Sequence, residues 1–201
     1  MFLRREKLSF LSKIWGFIWP RSGWRRAIAY YWHRLHRIPG TPSFIATGFA
    51  IGAALAMTPF YGTHMIIGAA LAWVLGGSML AAIIGAHLAN PWTAPALWFG
   101  AYYLGELILE GHFVNRPPNF IRVFKDLTES VLNLDGGLFM HGVWPVLWPM
   151  TVGSIPMAIV AGIAAYFILR SVVSVVHAKR AARIAKTPDA AKEEDVLEED
   201  G

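Results

Sequence analysis

Cysteine is absent from the 201 residues. That excludes disulfides, a thiolate nucleophile and any cysteine-ligated metal. Charge is scarce as well. Asp, Glu, Lys and Arg together make up 15% of the chain, against about 25% in a typical globular protein. Between Ile38 and Gly105 there is no charged residue at all. A spanning helix needs about 20 apolar residues, so that stretch is long enough to cross a bilayer more than once. Catalytic signatures are lacking too. The chain has no His-Glu-x-x-His, no Gly-x-Ser-x-Gly and no phosphate-binding loop. His64, His87 and Glu106 are the only groups in the apolar stretch from which a metal site would be assembled, and their spacing matches no ligand motif. No metal, no cofactor and no catalytic residue is therefore predicted, and an enzyme is the remote reading.

Apolar residues make up 55% of the chain. They fall in four segments, 43–57, 65–89, 96–109 and 143–169, with a polar interlude at 111–142. This predicts an all-α fold: a polytopic transmembrane helix bundle with an amphipathic N-terminal interfacial helix. The first segment, at about 1.5 Å per residue, reaches only about 22 Å of a hydrocarbon core of about 30 Å. Short segments then pair as two proline-broken helical hairpins, 43–75 and 79–109, hinged at Gly76-Gly77. Small residues such as Gly48, Gly52, Gly68, Gly85 and Ala89 recur at three- to four-residue intervals, the pattern of close helix contact in lipid. In the last segment Pro145 and Pro149 are placed at or before the helix start, and Pro156 is expected to kink it. In the interlude, Ile121, Phe124, Leu127, Val131 and Leu134 form an apolar helical stripe, ended by Asp135-Gly136-Gly137.

Residues 1–40 hold nine Lys or Arg and one acid. Arg4, Arg5, Lys7, Lys13, Arg25 and Arg26 alternate with aromatic and aliphatic residues, an arm suited to a membrane surface with anionic lipid headgroups rather than to nucleic acid. The other reading of the arm is a helix packed on the rest of the protein's cytoplasmic face. Residues 171–201 begin basic and end acidic, as a cytoplasmic tail that is partly disordered. Basic flanks on both sides of the apolar region predict cytoplasmic termini and an even number of crossings.

Two breaks interrupt the apolar stretch. The first carries Pro59, Gly62, Thr63 and His64. The second carries His87, Asn90, Pro91 and Thr93. Paired breaks in membrane helices point to a substrate site, with half-helix ends presenting N–H groups to an anion. Helix caps at the membrane surface account for the same residues, and the sequence leaves both readings open. Glu106 joins the candidate set as a carboxylate at the end of the charge-free stretch.

Pro42-Ser43, Gly48-Phe49-Ala50-Ile51-Gly52, Pro59-Phe60-Tyr61-Gly62-Thr63-His64 and Asn90-Pro91-Trp92-Thr93-Ala94-Pro95, continued by Gly100 and Tyr103-Leu104-Gly105, carry a resemblance. Over about residues 25–170 the chain resembles the bacterial membrane family called domain of unknown function 2062. The resemblance implies a multi-pass protein of the bacterial inner membrane. Related domains attached to glycosyltransferases imply a role in envelope or lipid-linked sugar metabolism, although no such domain is present here. The expected function is transport or handling of a small anionic or lipid-phosphate substrate. The alternative is a non-transporting scaffold or assembly factor. The expected partners are the bilayer, and a second copy or another membrane protein.

Overall fold

A computed structural model describes residues 24–35, 37–112 and 118–185. The arm residues Arg4, Arg5, Lys7 and Lys13 and the acidic tail lie outside the described residues. Two compact units are distinguished, 1–38 and 39–201. In the first, α1 (Trp24–Leu35) is a helix on which Arg26, His33 and Arg34 are exposed.

The described residues of the second unit form helices joined by turns, with no strand among them. Its elements are α2 (Pro42–Ala56), α3 (Thr63–Val74), α4 (Met79–Ala86), α5 (Ala94–Glu110), α6 (Phe120–Leu132), a single turn α7 (Gly136–Leu138), a π-helical turn (Phe139–Val143) and α8 (Trp144–Ile184). The helix starts follow local chemistry. The Thr41 hydroxyl accepts the Phe44 N–H, with Pro42 at the first helical position, where its missing N–H costs nothing. Ser78 caps α4 through the Ala81 N–H and Asn119 caps α6 through the Arg122 N–H.

Two of these helices, α2 and α4, are held by backbone-to-backbone contact. A Cβ at Gly48 would collide with the Ser78 carbonyl, and one at Gly52 with the Ala82 carbonyl; one at Gly85 would collide with the Phe49 carbonyl. The Ser78 N–H also donates to the Phe44 carbonyl at 3.0 Å. Residues 44, 48 and 52 thus meet residues 78, 82 and 86 in order, so α2 and α4 run in the same direction. α3 runs between them, turned by the break at 57–62 and by Gly76, whose φ of +68° suits only glycine well. A second seam joins α5 to α8. Added Cβ atoms at Gly105 and Gly153 would overlap the carbonyls of Pro149 and Ala101, so this pair is antiparallel. Farther along, α8 meets α2, where Gly162 faces Ala50 and Ala54.

Several expectations shift here. The hinge at Gly76-Gly77 and the first hairpin are present, but α5 packs on α8 rather than back on α4. The second pair of segments is therefore not a hairpin. Pro149 and Pro156 both lie inside α8. Pro149 is accommodated within the helix, and the Thr151 hydroxyl donates to the Leu147 carbonyl close by. Asp135 closes the end of α6 as expected, its N–H donating to the Ser130 carbonyl at 2.9 Å, and its side chain has a second role. It opens α7, accepting the Leu138 N–H at 3.0 Å. The α6 stripe is rotated from the predicted one: Ile121 and Leu134 are 85% and 90% exposed, whereas Phe124 and Leu127 point to a cavity together with Phe120 and Val123.

One continuous helical run, Gly136–Arg183, is long and apolar enough to cross a membrane, with a mean hydropathy of 2.2 in its best window. Only 11% of that window is buried. The helix therefore presents its apolar surface outward.

Candidate functional site

The first break is built around His64, which is 3% exposed. Gly62, at φ +95°, turns its N–H onto His64 Nδ1 at 3.1 Å. The Phe60 carbonyl lies 3.3 Å from the same nitrogen, but a backbone N–H can only donate, so the shorter Gly62 contact assigns Nδ1 as acceptor and the ring proton to Nε2. Nε2 then donates to the Ala86 carbonyl, 3.3 Å away at the end of α4. The Thr63 hydroxyl donates to the Phe60 carbonyl. Pro59 contributes its carbonyl to the Tyr61 N–H.

The second break is an Asn-centred turn. Asn90 Oδ1 accepts the N–H groups of Trp92 and Thr93 at 2.9 and 3.1 Å. The Asn90 N–H donates to Thr93 Oγ1, whose own hydroxyl donates to the Leu88 carbonyl. Pro91 occupies the one position of this turn where no N–H is used. His87 Nδ1 donates back to the Ile83 carbonyl at 2.7 Å. Asn and Thr thus close the turn that leads into α5 through their own side chains.

The structure therefore brings the two breaks together, joined by His64 and Ala86. It also engages their polar side chains with neighbouring backbone. Glu106 stands apart. It lies three turns into α5, is 7% exposed, and follows the glycine that abuts Pro149. Among the described residues, no three His, Asp or Glu side chains converge on a metal-sized space.

Beside the first break is a cavity of about 400 Å³. Pro59, Phe60, Tyr61 and Thr63 form one wall and Trp98 of α5 another. α6 covers it with Phe120, Val123, Phe124 and Leu127, while Phe139, Val143, Leu147 and Met150 close the far side. The rings form a connected set. Tyr61 meets Trp98 edge-on at 5.9 Å, and Trp98 lies 5.7 Å from Phe120 and 5.9 Å from Phe124. Among the described residues, no charged side chain lines this space. Its volume falls within the range of small-molecule sites, roughly 300–1,000 Å³. Sequence reasoning singled out the first-break wall but not the aromatic walls. The available signal was the recurrence of Phe120, Phe124 and Phe139 in a segment otherwise read as polar.

A family model described as an uncharacterized protein conserved in bacteria, DUF2062, matches residues 25–182. The chain belongs to the DUF2062 family. The DUF2062 match runs from α1 almost to the end of α8, so both breaks, the glycine seams and the aromatic cavity lie inside it. No curated protein and no solved structure is detectably similar to the chain.

Proposed function

We propose that the protein is a multi-pass protein of the bacterial inner membrane that holds a lipid by its acyl chain and handles it without chemical change. The observation that carries this reading is the aromatic cavity between the first break and α6. It is largely apolar and large enough for a stretch of hydrocarbon; among the described residues its lining holds no His, Asp, Glu or Lys, and its Thr63 hydroxyl is engaged with the Phe60 carbonyl. The bilayer setting is supported by the outward apolar surface of α8 and by the exposure of Ile66, Trp73, Ile159 and Phe167 on the outside of the bundle. A charge-free span from Ile38 to Gly105 supports it as well. In this setting α2 and α3, at 15 and 12 residues, cross only part of the core and lean on α4 and α8. Both termini face the cytoplasm under the charge rule.

An anionic headgroup is assigned to the surface rather than to the breaks, because the side chains of Asn90, Thr93 and His64 are engaged with backbone. Arg122 and Lys125 are exposed on α6, each paired with an acid one turn on, Asp126 and Glu129, and a lipid phosphate would compete for them with those exposed carboxylates. The test is native mass spectrometry of the protein extracted from bacterial membranes in mild detergent. Wild-type protein should retain lipid, anionic species above zwitterionic ones. Leu127→Trp, which fills the cavity, should lose at least about tenfold of it, while the exposed Ile121→Trp should not. Lipid-free wild-type protein, or equal retention by Leu127→Trp, overturns the reading.

A further inference from the structure

Glu106 is a carboxylate with no partner. It is 7% exposed, and among the described residues no side chain or backbone N–H donates to it and no cation pairs with it. One turn earlier on the same face, the Tyr102 hydroxyl residue is 8% exposed and also makes no hydrogen bond. The neighbouring helix is pressed close at this level. Gly105 abuts the Pro149 carbonyl so tightly that a single methyl group would not fit. Tyr102 packs with Ala101 and Met150, and Met150 is itself part of the wall of the aromatic cavity.

A charged carboxylate in such a place would have little water and, among the described residues, no donor to stabilise it. The uncharged acid requires far less, and it carries an O–H of its own. The groups that act on Glu106 electrically are few. Glu110 and Tyr102 lie on its own helix, and His112 follows that helix. The facing turns of α8, residues 145–153, contain no titratable side chain. On α6, Arg122 is paired with Asp126 and Lys125 with Glu129, and His141 of the π-helical turn is exposed. Glu110 and His112 meet each other at 3.7 Å at the end of α5.

We propose that Glu106 is a proton-binding site, and that proton release from it loosens the α5–α8 seam and weakens ligand binding in the aromatic cavity. The ligand is a proton. The coupled element is the seam, because an ionised Glu106 needs water that only separation of α5 from α8 admits. The path to the cavity is short: Tyr102 and Met150 lie between them. The coupling half of this inference rests on the acyl-chain reading given above; the proton-binding half does not.

Two measurements separate the halves. Infrared difference spectra of the full-length protein in lipid nanodiscs, taken across a pH titration, should contain the carbonyl stretch of a protonated carboxylic acid. That band should vanish entirely in Glu106→Gln and persist in Glu110→Gln. Lipid affinity, measured in the same nanodiscs with a fluorescent-chain phospholipid, should fall by up to about tenfold per pH unit above the titration point, the slope for one linked proton. In Glu106→Gln it should be independent of pH. Absence of the band from wild type, or its persistence in Glu106→Gln, overturns the proton site. A band that behaves as expected with pH-independent binding in wild type overturns the coupling alone. Failure of any lipid to bind refutes the acyl-chain reading and the coupling together, and leaves the spectrum to decide the proton site.

Discussion

Replacing Gly48 with alanine puts a methyl group where the Ser78 carbonyl stands. Ordinary contact for a Cβ is 3.4–4 Å, and the nearest backbone atoms here are all closer than 3.0 Å. The obstruction is backbone, which cannot rotate away, so α2 and α4 must separate by about an ångström along that part of the seam. Overpacking of this kind costs about 1–3 kcal/mol. Alanine's better helix propensity returns about 1 kcal/mol of it. An overlap this deep with backbone belongs at the upper end of that range, so the net loss should be about 2 kcal/mol, or about 4–8 °C in melting temperature for a chain of this size. Gly48→Ala combined with Gly52→Ala should cost less than the sum, because one displacement relieves both overlaps. Gly136→Ala is the control, since nothing lies within 4 Å of its added Cβ. The assay is thermal unfolding of detergent-solubilised protein, followed by tryptophan fluorescence. A Gly48→Ala protein that melts with the wild type, or above it, refutes the backbone seam.

His64→Phe preserves ring volume but leaves the Gly62 N–H without an acceptor and removes the donor to the Ala86 carbonyl. A loss of about 1–2 kcal/mol is expected in the same melt, with a smaller loss for His64→Gln, which retains a donor. Leu134 has φ +51°, a conformation that costs a side chain about 1 kcal/mol, and it is 90% exposed. Leu134→Gly should therefore raise the melting temperature by a few degrees, and a fall would show that the left-handed turn is unstrained.

Local chemistry was readable in the sequence wherever one residue type has few uses. Thr41-Pro42 starts a helix and Gly76-Gly77 turns one. Asn90-Pro91 closes a turn on its own side chain. The small faces at Gly48, Gly52 and Gly85 announced close approach. What they did not announce was a partner. A small face is complementary to any other small face, so the pairing of α2 with α4 in parallel, and of α5 with α8, depends on loop lengths and on the whole bundle. The same holds for His64, whose acceptor is 22 residues away. The α6 stripe was misassigned because helical spacing alone fits two rotations there. Ile121 and Phe120 are adjacent, and only the cavity decides which of them turns inward. Pro149 was placed outside its helix because a proline normally breaks one, whereas the helix begins a turn earlier, at Trp144, with Pro145 in its first turn.

The parallel seam has a consequence for how such a chain is made. α4 is eight residues long, about 12 Å, and a hydrocarbon core is about 30 Å. In the proposed bilayer, a ribosome-bound chain cannot hand so short a segment to the lipid as a unit of insertion. α4 becomes embedded only when its Ala82, Gly85 and Ala86 dock on an α2 already in place. The second break is therefore assembled last within this part of the bundle, after the helix that recruits it has been released by the insertion machinery.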